Sequence, residues 1–167
     1  MLIAGLDFGY VNDPSCLLWG NVDEAAKEIW LYGEEHMQGY LNDAIAKVII
    51  KNGLSKEIII ADSAEQKSIE EIKRLGVARI KPATKGQGSI LQGIQLVSQY
   101  KIYVHPALLH TIEELQNYSW KRDRNTGEYL NEAEDSNNHM MDSLRYGMQI
   151  LDNNQRLQSI PKKLLGL

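Results

Sequence analysis

Apolar and polar positions along the chain fall into short runs whose period changes repeatedly. Residues 2–8 alternate and then run apolar, the pattern of a strand buried within a sheet. After a turn through Gly9, Asn12, Asp13 and Pro14, residues 15–22 and 27–35 read as two further strands joined by a polar connection at 23–26. The three predict a meander. Residues 40–53 switch to helical spacing, with Leu41, Ile45, Val48 and Ile49 on one face and Gly53 as the stop. A β-branched run at 56–63 ends on Asp62, and 63–76 reads as a helix capped by Ser63, with Gln66 three residues on and Gly76 closing it. Next come a strand at 78–83, a glycine-rich lead and helix at 85–99, and a strand at 101–105. A helix at 106–120 opens on Pro106, a hairpin at 120–130 turns on Asn125, Thr126 and Gly127, and a last helix covers 136–151.

Three strands in succession, then alternating helices and strands, predict an α/β fold: a mixed sheet with helices on both faces. The expected division is one domain at 1–151 and a polar, then Leu-rich tail at 152–167. No repeat or low-complexity segment interrupts it.

Composition narrows the class. The 167 residues suffice for a full core, and 43% hydrophobic with 24% charged residues is ordinary for a globular protein. No apolar run approaches the roughly 20 residues that span a bilayer, and the first residues lack the order of a signal peptide. The single cysteine, Cys16, excludes an internal disulfide. The expectation is a cytoplasmic protein. A net charge of −4 argues against tight polyanion binding, but Lys81, Lys85, Lys101, Lys121, Arg122 and Arg124 allow a local basic surface.

The chemistry lies in the carboxylates. The strands at 2–8 and 57–61 end on Asp7 and Asp62, and ligand sites of open α/β sheets lie beyond the carboxyl ends of strands. Parallel neighbours would set the two side by side. Asp142 shares a helical face with His139 at i−3 and Asp135 at i−7. Clustered carboxylates need a counter-charge, and oxygen ligands favour Mg²⁺ or Mn²⁺. Two ions about 3.5–4 Å apart would clamp an in-line phosphoryl displacement. Each residue also has an ordinary reading: Asp7 as a turn former, Asp62 as a helix cap, Asp142 paired with Arg145, His139 at the surface.

Four segments, "GLDFGYVNDPSC", "IIADSAEQKSIEEIKRLG", "KPATKGQGSILQGIQLV" and "NNHMMDSLRYG", resemble in order and spacing the nuclease domain of phage large terminase subunits, over residues 2 to about 151. That resemblance implies a ribonuclease H-like fold and metal-dependent cleavage of double-stranded DNA during genome packaging in the host cell cytoplasm. It places the metal-binding aspartates on Asp7, Asp62 and Asp142, with His139 beside the third. The implied partners are the terminase ATPase domain, the small terminase subunit and the portal protein. No G-x-x-x-x-G-K-[ST] motif is present, so ATP hydrolysis is not expected of this chain.

Around that set, Glu65 and Asp135 are expected as auxiliary groups. Lys81 and Lys85 beside two glycines, and Lys121, Arg122 and Arg124 at the hairpin, are expected to meet DNA. The isolated domain is expected to be monomeric. Rival readings are a resolvase- or transposase-like nuclease of the same fold, an actin-like nucleotide-binding module, and a non-catalytic docking module for portal or motor.

Overall fold

Strands β1 (Leu2–Asp7), β2 (Ser15–Asp23) and β3 (Glu28–Met37) form the predicted meander, each antiparallel to the next. In this computed structural model the described residues are 1–9, 13–118, 120–122, 129–133 and 138–151, with the backbone alone for 120–122 and 129–133. On the other side of β1 lies β4 (Ile59–Ala61), parallel to it, with Leu6 opposite Ala61. Strand β5 (Ile80–Pro82) runs parallel to β4, and β6 (Lys101–Val104) parallel to β3. The sheet order is β5-β4-β1-β2-β3-β6. Strands β7 (Trp120–Arg122) and β8 (Tyr129–Ala133) pair separately as the predicted hairpin.

Helices cover both faces because successive side chains of β1 point to opposite sides and both sets are apolar. Ala4 and Leu6 pack with Leu17 under Ile45 and Ile49 of α1 (Asn42–Lys51) and Ile69 and Ile72 of α2 (Gln66–Arg74). Ile3 packs with Cys16, Leu18 and Leu31 under Met140, Met141, Leu144 and Met148 of α5 (His139–Met148). Two further helices, α3 (Ser89–Val97) and α4 (Leu109–Asn117), bring Leu96, Val97 and Leu115 against the same core.

Helix α5 touches the sheet backbone to backbone. A Cβ on Gly5 would lie 1.7 Å from the Ser143 carbonyl oxygen, and one on Gly147 would lie 3.1 Å from the Ala4 carbonyl carbon. Only two glycines allow this approach, and it seats the first turn of α5 over the carboxyl end of β1.

The amino ends of α4 and α5 lack a side-chain cap of their own. Distant glutamates supply the missing acceptors. The Glu34 carboxylate accepts the N–H groups of His110 (3.1 Å) and Thr111 (2.9 Å) and the Thr111 hydroxyl (2.6 Å). Glu114, one turn along α4, accepts the N–H groups of Met140 (2.7 Å) and Met141 (3.0 Å). Each carboxylate also meets the positive end of a helix dipole, and the loss of such a cap costs about 1 kcal/mol. The chain β3, α4, α5 is thus linked through two carboxylates.

Three local expectations change. Leu41 precedes α1 with extended backbone angles, so it leaves the buried face and is exposed. Asp62, not Ser63, caps the following segment: its carboxylate accepts the Ala64 N–H (2.9 Å), a 3₁₀ turn forms at Ser63–Glu65, and α2 begins only at Gln66. Pro106 lies in a turn closed by the Leu108 N–H on the His105 carbonyl, so α4 starts at Leu109. Among the described residues no helix is long and apolar enough to cross a membrane. The tail at 152–167 lies outside the described residues.

Candidate functional site

Asp7 is the last residue of β1 and Asp62 the first after β4. Parallel pairing sets them at the same end of neighbouring strands, and the Asp62 N–H donates to the Leu6 carbonyl (2.9 Å). This is the carboxyl end of the parallel pair, where α/β sheets place ligands. Helix α5 delivers His139 and Asp142 to the same end. Ser143 fastens the junction: its Oγ accepts the Asp7 N–H (3.2 Å) and lies 2.8 Å from the Cys16 carbonyl oxygen.

Each aspartate has its own basic partner. His139 Nδ1 lies 3.0 Å from Asp7 Oδ2. Lys85 Nζ pairs with Asp62 Oδ1, and Arg145 Nη2 with Asp142 Oδ1. Burial pushes the Asp7 carboxyl above its ordinary value; the contact with His139 opposes that shift, and the charges of Asp142 and Asp62 add to it. The bond to Asp7 raises His139 in turn, against the effect of burial. Among the described residues, no three His, Cys, Asp or Glu side chains close into a metal-holding group. Asp7 senses the charges of Asp142 and Asp62, and each of the three carboxylates faces a basic side chain.

The donor chemistry fits a hard divalent cation. Three carboxylates and one imidazole supply the oxygen-rich set that Mg²⁺ and Mn²⁺ prefer.

The remaining predicted residues divide. Lys85 is at the site, while Lys81 is exposed on the edge strand β5. Glu65 accepts from the Ser68 hydroxyl (3.2 Å), within its own helix start. Lys121 and Arg122 lie in β7, where only the backbone is described; Arg124 and Asp135 lie outside the described residues.

Pattern reading missed Glu114 and Glu34, because a cap supplied from another element leaves no local signature. Burial pushes the Glu114 carboxyl up to about 7, against the two N–H groups it accepts. It also missed a stack of His36 on His110, with ring centres 4.2 Å apart, two strands from Asp7.

The mixed six-stranded sheet, with acidic residues at the carboxyl ends of its central parallel pair, defines a ribonuclease H-like domain. The chain belongs to the terminase RNase H-like domain family, whose sequence model matches residues 7–149. It is 31% identical over 148 residues to the large terminase subunit of Bacillus phage SPP1, covering 87% of this chain and 35% of that protein. The crystal structure of the g2p large terminase nuclease domain from bacteriophage SPP1 with bound Mn superposes with a TM-score of 0.84 at 30% identity, over 89% of this chain and 85% of that one. The P22 large terminase nuclease domain shares the fold, with a TM-score of 0.69 at 17% identity over 90% and 81% of the two chains. The chain spans about a third of the length of the curated relatives it matches, 35% and 28%.

Proposed function

We propose that this domain is the metal-dependent endonuclease of a viral DNA-packaging terminase, cutting concatemeric double-stranded DNA by two-metal phosphodiester hydrolysis. The observation that carries the reading is the placement of Asp7, Asp62 and Asp142 at one end of the sheet, each beside a basic side chain. The SPP1 nuclease domain with bound Mn, at 30% identity, supports a divalent metal.

In this reading Asp7, Asp62 and Asp142 hold two ions, Mg²⁺ or Mn²⁺. Bound there, the ions would acidify the attacking water and neutralise charge on the leaving oxygen. His139 orients Asp7 through Nδ1, and a metal ion held by Asp7 would favour loss of a proton from the pair. Lys85 and Arg145, displaced from Asp62 and Asp142, become free to meet phosphate oxygens. Lys81 and the hairpin residues Lys121, Arg122 and Arg124 extend the DNA contact. Glu65 and Asp135 are auxiliary at most. The ATPase domain, the small terminase subunit and the portal protein are the proposed partners, in the host cell cytoplasm and not in the mature virion.

Nicking of supercoiled plasmid with Mn²⁺, Mg²⁺ or EDTA, each with and without ATP, tests this. Metal-dependent, ATP-independent nicking is expected. Its absence in the wild-type domain at millimolar Mn²⁺ removes the nuclease reading.

A further inference from the structure

Tyr146 lies on α5 one turn beyond Asp142 and two beyond His139, so it shares the helical stripe that supplies the site. It is 5% exposed and packs with Ile60 of β4 and with Ala83. Ala83 prolongs the pairing of β5 with β4, its N–H donating to the Ala61 carbonyl (2.7 Å). Ile60 thus points to the α5 face two residues before Asp62, and the ring is seated beside the strand end that carries this carboxylate.

Lys85 Nζ lies over the Tyr146 ring, 5.6 Å from its centre, while it pairs with Asp62. A cation within about 6 Å of an aromatic centre is attracted by the negative face of the ring. Burial pushes the Tyr146 hydroxyl up, and the charges of Asp62, Asp142 and Asp7 add to the shift. The ring therefore stays neutral, and the ammonium meets a π face rather than a phenolate. The backbone before Lys85 is fixed by the same helix. The Gln149 carboxamide accepts the Thr84 N–H (2.8 Å) and donates to the Thr84 carbonyl (3.1 Å).

The two basic side chains that meet aspartates here differ in what retains them. Arg145 is 8% exposed and is held by its burial. The Lys85 side chain is 43% exposed, on a flexible stem. Once Asp62 takes another partner, the Tyr146 ring is the contact that Nζ keeps among the described residues.

We propose that Tyr146 is a positioning residue for Lys85: its ring holds the ammonium at the carboxyl end of β4 after Asp62 turns to a metal ion. The contact stands on the geometry of α5, β4 and the loop before α3; only its service in cleavage rests on the nuclease reading.

The test uses the full 167-residue chain with isotope-labelled lysine, the Lys85 signal being assigned by its loss in Lys85→Met. A ring beneath Nζ moves the Lys85 ε-methylene protons upfield. That shift is expected in the metal-free wild type, and it should persist at Mg²⁺ concentrations that raise the melting temperature. Tyr146→Phe should retain it and Tyr146→Leu should abolish it. In single-turnover plasmid nicking, Tyr146→Leu should lose about threefold to tenfold, the size of one cation–π contact, and Tyr146→Phe less than about twofold. In the Lys85→Met background Tyr146→Leu should cost nothing further, because the group it positions is gone. An additive loss would overturn the proposal, as would a Phe variant as impaired as the Leu variant, or an upfield shift that vanishes when Mg²⁺ binds. If Tyr146→Leu fails to fold, the wild-type shift with and without Mg²⁺ decides. Retention of the shift under Mg²⁺ in a domain that never nicks DNA would remove the nuclease reading and uphold the ring as the holder of Lys85.

Discussion

His139 and Asp7 meet at 3.0 Å, Nδ1 against Oδ2, across 132 positions of sequence. The contact joins the end of the first strand to the start of the last helix, and it links a proton equilibrium to the proposed metal site. Its consequences can be measured.

Asp7→Asn should abolish plasmid nicking without unfolding the domain. Asp7 is 7% exposed, and burial together with Asp142 and Asp62 disfavours its charged form. A neutral amide of the same shape relieves that penalty, so the metal-free melting temperature should hold or rise. Wild-type nicking in this variant would exclude Asp7 from the chemistry.

Metal-free stability should fall as pH rises from 5 to 8. Asp7 is raised by burial, Glu114 is pushed up to about 7 by burial, and His139 is raised by its bond to Asp7. All three hold protons more tightly folded than unfolded. The stability they add is complete below their unfolded values and lost as pH climbs through the folded ones. Glu114→Gln keeps an acceptor for Met140 and Met141 but should flatten the fall between about pH 4.5 and 7. Melting curves in EDTA across this range decide the matter; a rising curve contradicts the assignment.

Mn²⁺ should reverse that trend. Ligands shed protons to bind metal, so the gain in melting temperature should be larger at pH 8 than at pH 6. At 100 times the dissociation constant the stabilisation should be about 2.7 kcal/mol. Ca²⁺ should stabilise without supporting nicking. Indifference of the melting temperature to millimolar Mn²⁺ at either pH counts against the site.

His139→Ala should lower nicking by roughly 10–100-fold, the loss typical when a group that orients a ligand is removed. Asp142→Asn should cost much more. If both abolish cleavage alike, His139 is itself a ligand; if His139→Ala costs nothing, its bond to Asp7 is purely structural.

Gly5→Ala should destabilise the domain by more than the roughly 1–3 kcal/mol usual for overpacking. The added methyl would meet the Ser143 carbonyl, which is backbone and cannot rotate away. Helix α5 would have to lift from β1, carrying His139 and Asp142 with it. Urea unfolding and nicking should fail together; a variant of normal stability would show that the helix seats otherwise.

What the sequence determined by itself was local. The apolar run over 2–8 marked β1 as a central strand, because side-chain direction reverses at each residue and both resulting sets are apolar. The strand-ending positions of Asp7 and Asp62, and the helical spacing of His139 and Asp142, follow from the same short-range geometry, as does the i+3 pair of Asp142 with Arg145. Helix starts were less legible: Asp62, and not Ser63, took the capping role by accepting the Ala64 N–H, and the turn after His105 delayed α4 past Pro106. Tertiary structure alone decided the partners of the other two carboxylates, since His139 reaches Asp7 across the sheet and Lys85 reaches Asp62 only through the placement of the loop before α3. It also decided that Glu34 and Glu114 cap helices to which they do not belong. Such contacts depend on backbone approach, above all Gly5 against α5, and no pattern along the chain encodes a distance between residues far apart in it.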